Sequence, residues 1–345
     1  MKIQTKLFLA FFLIGIMPLI IISYMIHIDS LELIQNKVLH EHETDISEDV
    51  DEMSILIEKY ISNILFISDL PPISGLIRAE KNKGIDPHDG STEQQWKDRL
   101  DTIFKRMISA DHHIDHLRFI DEDGKEIVKV LHLSPYDENS TALLHVKMPH
   151  ENHIVSISEN DLQNKKDRDY FFQVVNLSHD EVYISELNLN FEYGEMELPL
   201  KPILRFATPI FDEEGNHQGM VISNIRFRKF FDTFDETALG KIIITDQDGF
   251  ILKHSDQEKE FSKDLGSSFN YFNEQPELVE NTRKYDKKIH HDELEREYRI
   301  WKKIFYDPYH KDKYWIIFSV IKEDELFEEI NKLNEKILRI VLFAF

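Results

Sequence analysis

The sequence predicts an α+β chain in which a membrane-spanning helix continues into a long helix, followed by two tandem antiparallel-sheet units and a second apolar segment. Three observations carry this reading. Leu7 to Ile26 reads LFLAFFLIGIMPLIIISYMI, without a charge. Ile46, Val50, Met53, Ile57, Tyr60 and Ile64 recur in alternating steps of four and three, the period of a packed helix. The turn Asp-x-Asp-Gly occurs at Asp121–Gly124 and again at Asp246–Gly249, each between apolar runs, as in a β-hairpin.

The first run is about 30 Å long as a helix, enough to cross the hydrocarbon core of a bilayer. Gly15 and Pro18 are poor choices for a soluble helix but common in membrane spans. Lys2 and Lys6 precede the run, and the first charges after it are Asp29 and Glu32. Positive charge stays inside, so residues 1–6 are expected in the cytoplasm and everything after His27 outside it. A cleaved signal peptide would need small residues at its cleavage site. SYMIHI supplies only Ser23, so an uncleaved anchor embedded in membrane lipid is expected over residues 7–26. The chain closes on ILRIVLFAF, Ile337–Phe345. That is too short to span and reads as the start of a second membrane segment after an exit helix, together residues 326–345. The alternative is an apolar tail docked on the first helix.

With 41 basic and 64 acidic residues the net charge is −23. This argues against nucleic acid, which needs a basic face. The absence of cysteine excludes disulfides, thiolate-bound zinc and thiol catalysis.

Nothing breaks a helix between Ile28 and Phe66, so residues 27–66 form a stalk. Leu31, Ile34 and Val38 begin its stripe, and His42 joins the two halves at a four-four step, like a stutter. Either the chain's own domain or a second copy in a homodimer can cover this face; periodicity does not choose between them. Pro71-Pro72 stops the helix, and a shorter one is expected over Ile73–Glu80. Gly, Pro, Asn and Asp make Asn82–Ser91 a loop, after which Thr92 caps a helix through Ser109.

The first hairpin is expected over His116–Val130, and the second over Lys241–His254. A looser copy begins at Pro209 and is followed by a strand from Gln218 to Ile225. Two equivalent hairpins about 125 residues apart suggest a duplicated unit. Between them, Ser158 or Asn160 caps an expected helix DLQNKKDRDYFFQVVN. Strands follow at Glu181–Ser185 and Pro202–Phe211, then a connecting helix in RFRKFFDTFDE. After a mixed stretch from Ser255 to Asp286, a closing hairpin pairs Glu297–Phe305 with Tyr314–Ile321. Glu323–Leu338 is then helical.

The densest candidate site lies between Leu162 and Asn224. It holds Arg168-Asp-Tyr-Phe171, Val182-Tyr-Ile-Ser185 and Lys201-Pro-Ile-Leu-Arg-Phe-Ala-Thr-Pro209. LQNKKDRDYF, VYISELNLN and KPILRFATPIFDEEGNHQGMVISNI, with the long leading helix and paired hairpins, resemble the double Cache sensor family of bacterial kinases, cyclases and chemoreceptors. The resemblance covers about Ile28 to Ile330. It implies two PAS-like antiparallel sheets, a membrane-distal module over 67–228 and a membrane-proximal one over 229–325. It also implies a small-molecule pocket in the distal module, in the periplasmic part of a protein of the bacterial inner membrane. Arg168 stands where the family's ligand-binding arginine would, and Tyr170 and Phe171 where its aromatic pair would. Tyr183, Ser185 and Arg205 lie on strands that could face the pocket. Gln163 replaces an expected tyrosine, and Asn224 replaces the acid that holds a ligand amine in amino-acid-binding relatives. An asparagine cannot neutralise an ammonium, which weighs against an α-amino acid and toward a carboxylate or another small polar ligand.

No catalytic residue, metal site or cofactor is expected. The histidines lack zinc-ligand spacing, there is neither a P-loop nor G-x-S-x-G, and Asp121, Asp123, Asp246 and Asp248 read as turn residues. The function expected is a ligand sensor that signals through its terminal helices to an output domain beyond the second span. The alternatives are a membrane-bound hydrolase, for which no acid/base pair is found, and a docking protein whose exported part binds another protein.

Overall fold

The computed structural model describes residues 11–12, 17–133, 154–237, 239–328 and 330–332. Of the expected first span, residues 11–12 and 17–26 are described and the run is helical from Met17 onward; the terminal apolar run 337–345 lies outside the described residues. Helix α1, Met17–Ser68, is continuous. Among the described residues the stretch Leu33–Lys81 is long and apolar enough to cross a membrane, but 56 % of its most apolar window is packed inside the protein. It is a core helix.

Pro71 and Pro72 do more than end α1. They open α2, Pro71–Lys81, two residues earlier than expected, because proline at the first helical positions loses no bond. Helix α3, Glu93–Ala110, starts at Thr92 with a full capping box: the Thr92 side chain accepts from Gln95 N, and the Gln95 side chain accepts from Thr92 N.

The first sheet contains β1 Ile114–Asp121, β2 Glu126–His132, β3 Ile154–Ser156, β4 Tyr183–Ile184, β5 Asn188–Leu189, β8 Pro202–Phe211 and β9 His217–Arg226. Its order is β3-β2-β1-β9-β8-β4, with β5 also on β8, and every pairing is antiparallel. A two-stranded ribbon, β6 Phe191–Glu192 with β7 Glu195–Met196, stands apart. After α4, Asp169–Val175, and α5, Arg228–Thr237, comes the second sheet. It contains β10 Lys241–Asp246, β11 Ile251–Lys253, β12 Lys287–Asp292, β13 Glu297–Ile304 and β14 Trp315–Lys322, in the order β11-β10-β14-β13-β12. Short helices α6 Ser262–Leu265, α7 Tyr271–Glu274 and α8 Glu277–Lys284 lie between β11 and β12. The described residues of 323–332 are helical.

The two-residue period of the strands sorts side chains to opposite faces. Leu117, Phe119, Leu204, Phe206, Val221 and Ile225 face α1 and α3 in one large core. Ile120, Ala207, Met220 and Ile222 face the other way, beneath Tyr170, Phe171 and Val174 of α4. The second sheet divides likewise: Ile242, Ile300 and Ile317 join the main core, while Ile243, Trp301 and Phe318 pack with Tyr271 and Leu278.

The α1 stripe is buried within the chain: Ile46, Val50, Met53, Ile57, Tyr60 and Ile64 lie in the main core. The chain's own sheets cover the face that a second copy would have needed. The stutter at His42 has a local cause. His42 is buried against β14, with Nε2 2.9 Å from Ser319 Oγ, and Ser319 donates to the Leu239 carbonyl at 2.7 Å.

The hairpin acids are turn residues. Asp121 Oδ1 accepts from the backbone of Asp123 and Lys125, and Asp246 Oδ1 from Asp248 and Phe250. Asp212 repeats the pattern in the β8–β9 turn, so the looser copy belongs to the first sheet itself. The expected helix from Asp161 to Asn176 is reduced to α4. Residues 163–165 are extended because they bond to the first hairpin: Glu126 N donates to Gln163 O at 2.9 Å and Lys165 N to Gly124 O at 2.7 Å. Strand β12, just beyond the mixed stretch, is an element the sequence reading does not contain.

Candidate functional site

The free face of the first sheet holds a cavity of about 550 Å³, within the range of small-molecule sites. Its floor is β8, its walls are α4 and the irregular segment through β4, β5 and β6, and its rim includes residues of α6 and the β13–β14 loop. Five sequence-selected residues line it: Arg168, Tyr170, Tyr183, Ser185 and Arg205. Two do not. Phe171 is on α4 but turns into the apolar cluster under the helix. Asn224 is fully buried on β9, paired in register with Arg205 on β8 and His116 on β1. A side chain between two neighbours on a pleated face lies beneath the cavity floor and not in its wall.

Arg205 dominates the floor. Its Nη1 donates to Asn188 Oδ1 at 2.5 Å and its Nη2 to Asn190 Oδ1 at 3.0 Å. Both partners are neutral amides, and among the described residues no carboxylate lies in ion-pair range. Burial, followed by the charge of Arg118, pulls the Arg205 guanidinium below its usual pKa. Close by, the buried Tyr170 hydroxyl and both polar atoms of the Asn224 amide have no hydrogen-bond partner among the described residues. Burial raises the Tyr170 pKa and takes that of Tyr183 to about 12, so both phenols are neutral donors at physiological pH.

Arg168 is placed differently. It sits at the amino end of α4, half-buried, and among the described residues its Nη2 reaches only the Phe191 carbonyl at 3.5 Å. It is a rim residue. Ser185 supports the wall: its Oγ donates to the Glu186 carbonyl at 2.7 Å and accepts from Arg205 N at 3.0 Å.

Behind the floor lies a buried charge cluster. Glu192, on the β6–β7 ribbon, lies 3.2 Å from Arg118, 3.1 Å from Lys129 and 3.4 Å from Lys165. Gln163 Nε2 donates to the same carboxylate at 2.9 Å. Burial opposes ionisation of Glu192, but Lys129, Arg118 and Lys165 outweigh it and hold its pKa well below the usual range. Burial keeps His116 well below the usual histidine range and hence neutral. Burial also lowers Lys165 to about 8 despite Glu192.

Arg118, Asp307, His310 and Lys313 line the cavity as well, although no sequence motif points to them, and so does Lys165, which lies within LQNKKDRDYF but is not singled out there. A signal for Arg118 exists in retrospect: it interrupts the apolar run HLRFI, as Lys129 interrupts EIVKVL, and the two are register partners on one face. Nothing local marks the others. Lys313 comes from the β13–β14 loop, where Asp307 holds it at 3.0 Å, and it donates to the Ile184 carbonyl at 3.2 Å. Asp264 of α6 accepts from Leu189 N at 2.9 Å. The second sheet's loops therefore close one side of a cavity built on the first.

Comparison with known proteins agrees with this architecture. The extracellular domain of the histidine kinase vpHK1S-Z8 superposes with a TM-score of 0.65 at 15 % identity, over 87 % of this chain and 95 % of that one. A domain of a sensory box/GGDEF family protein from Vibrio parahaemolyticus gives 0.65 at 15 %, over 86 % and 98 %. Methyl-accepting chemotaxis protein X gives 0.54 at 9 %, over 83 % and 98 %. At these identities the likeness establishes the fold, a long helix followed by paired antiparallel sheets, and does not establish a ligand. No curated protein matches in sequence. The sequence profile of the bacterial histidine kinase sensor domain matches residues 88–295, more than half of the 345, and the chain belongs to that family of sensor domains.

Proposed function

We propose that the cavity is the sensing site and that it binds a small carboxylate-bearing molecule outside the cytoplasm. Arg205 carries the reading. A cation in a protected site with only amide partners is costly to hold, and a planar guanidinium matches a carboxylate through two parallel hydrogen bonds. The unpartnered Tyr170 hydroxyl beside it is a further donor for such a group. Tyr183 supplies an aromatic wall.

In this reading the first sheet is the membrane-distal module and the second is the proximal one. The Leu7–Ile26 run anchors the chain in the bacterial inner membrane, with the sheets in the periplasm. Ligand binding shifts the first sheet against the second sheet's loops, and α1 and the helix after Glu323 carry the change to an output domain. A homodimer is the expected assembly. Its seam would use the outer face of α1, where Leu33, Ile55 and Phe66 are 71, 66 and 63 % exposed. Their spacings of 22 and 11 residues return to one side of a helix.

The test is a thermal-melting screen of the full chain in detergent against carboxylates, amino acids, amines, purines and sugars, repeated with Arg205→Met. Stabilisation by carboxylates that disappears in the variant is expected. Stabilisation only by amines or sugars, unaffected by the variant, would refute the reading.

A further inference from the structure

Where α1, β14 and the connection between the two sheets meet, the chain buries a titratable side chain that the cavity does not use. His42 and Ser319 are buried, and their hydrogen bonds close a ring with Leu239. Leu239 N donates to His42 Nδ1 at 3.5 Å, and Ser319 Oγ donates to the Leu239 carbonyl at 2.7 Å. A serine hydroxyl has a single proton, and Ser319 gives it to that carbonyl. At the 2.9 Å contact between them, His42 Nε2 is therefore the donor and Ser319 Oγ the acceptor. Nε2 carries the ring proton and Nδ1 accepts, so the ring closes only on a neutral imidazole. A proton on Nδ1 would face the Leu239 N–H and leave that donor without its acceptor.

Three parts of the molecule cross at this ring. Leu239 and Gly240 join α5, after the first sheet, to β10, the start of the second. They lie tight against β14: a Cβ at Gly240 would overlap the Val320 carbonyl. Strand β14 leads into the helix after Glu323, whose Leu326 and Ile330 share the main core with Val38, Leu39 and Ile46 of α1. The charges that act on His42 are on its own helix. Burial holds the imidazole below the usual histidine range, against the pull of Asp45 and Asp49. The neighbouring elements carry their charges elsewhere. The one ionisable residue of β14 is Lys322, exposed at its far end, and β10 opens on the exposed Lys241. Lys302 of β13 turns to the Ser47 carbonyl and Asp51, Asp232 of α5 pairs with Lys253, and Glu325 and Glu328 of the exit helix are exposed.

We propose that His42 is a proton-operated clasp: uptake of a proton at Nδ1 releases Leu239 from α1 and β14, so that acid outside the cytoplasm is a second stimulus for this sensor. Opening the clasp loosens the entering helix, the connection between the sheets and the strand that feeds the exit helix together. Its direction follows from the neutral ring. Closure is fully favoured above about 6.5, the ordinary histidine value. It weakens as pH falls below that value toward the lower pKa of the closed form, because opening then takes up a proton. The clasp is separate from the cavity and does not depend on what binds there.

The experiment follows amide hydrogen exchange of the full chain in detergent from about pH 7.5 to about pH 5, the window that brackets the ordinary histidine value. Mass spectrometry reads the peptide that contains Leu239, corrected for the intrinsic pH dependence of exchange. Protection in the unmodified chain is expected to hold above about pH 7 and to fall about tenfold by about pH 5, as one proton is taken up on opening. His42→Gln is the control. Glutamine can accept from Leu239 N and donate to Ser319 without titrating, so its protection should stay flat across the range. An equal fall in both proteins would place the titration elsewhere and overturn the proposal, and so would a flat response in the unmodified chain. If His42→Gln shows no melting transition, exchange of the His42 ring C2 proton in the unmodified chain decides. A midpoint below about 6.5 that coincides with the loss of Leu239 protection is expected. A midpoint at or above that value, or loss of protection at a different pH, would overturn the clasp.

Discussion

Arg205→Met should separate binding from stability. Methionine keeps much of the length and apolar surface of the arginine stem and removes the charge. The folded chain loses the two hydrogen bonds to Asn188 and Asn190, each worth about 1.5–3 kcal/mol for a charged donor. It also sheds a cation with no carboxylate partner, whose desolvation costs roughly several kcal/mol. These terms oppose one another, so the melting temperature should stay nearly constant or rise. Binding has no such offset. Losing the cation that meets a ligand carboxylate should cost about 2–5 kcal/mol, or roughly 30-fold to several-thousand-fold in affinity. Arg168→Met, at the half-buried rim, should cost no more than about 1 kcal/mol, as expected for a solvent-screened pair. Calorimetry with a carboxylate found in the screen gives the affinities, and fluorescence melting gives the stabilities. A large loss of stability in Arg205→Met would identify Arg205 as a structural strut. Unchanged affinity would refute the site, and a greater loss from Arg168→Met would move its centre to the rim.

Gly75→Ala should destabilise the α2–α3 contact by about 1–3 kcal/mol, because a Cβ there would overlap the Trp96 indole; urea melts check this, and a neutral result would mean that the two helices pack further apart. Asp246, which burial raises to about 6, favours the folded state most fully below its unfolded value of about 3.8 and loses that contribution as pH rises through 6. Asp246→Asn keeps the Oδ1 that accepts from Asp248 and Phe250, so it should stabilise by roughly 1–3 kcal/mol at pH 7.5, with the gain gone near pH 4; a gain independent of pH would exclude titration as its source. Single cysteines at Ile55 or Phe66 should crosslink two copies in membranes, whereas cysteines at Ile57 or Ile64, which are buried in the main core, should not; the reverse pattern would restore the inner stripe as the seam.

Local chemistry wrote much of the fold directly into the sequence. The Asp-x-Asp-Gly turns are legible because the first aspartate satisfies backbone donors within its own turn, and Gly124 and Gly249 supply the positive φ that closes it. The α1 stripe, the Thr92 cap and the β8–β9 hairpin follow from periods and capping rules that need no distant partner. What covers the α1 stripe was not legible, since an apolar face is equally content with a sheet or a second helix. The helix expected from Asp161 failed for a related reason: residues 163–165 spend their backbone bonds on a hairpin some 40 residues earlier, and propensity cannot see that competitor. The cavity divides in the same way. Arg205 and Tyr183 could be selected because they sit on recognisable strands. The balance of charge could not, because Glu192 meets Arg118, Lys129 and Lys165 only after β6–β7 folds over the sheet. Lys313 reaches the site from a loop 129 residues beyond Ile184. Sequence determined which strands could bear a site; only the tertiary structure decided which charges share it, because Coulomb energy depends on separation in space and not along the chain.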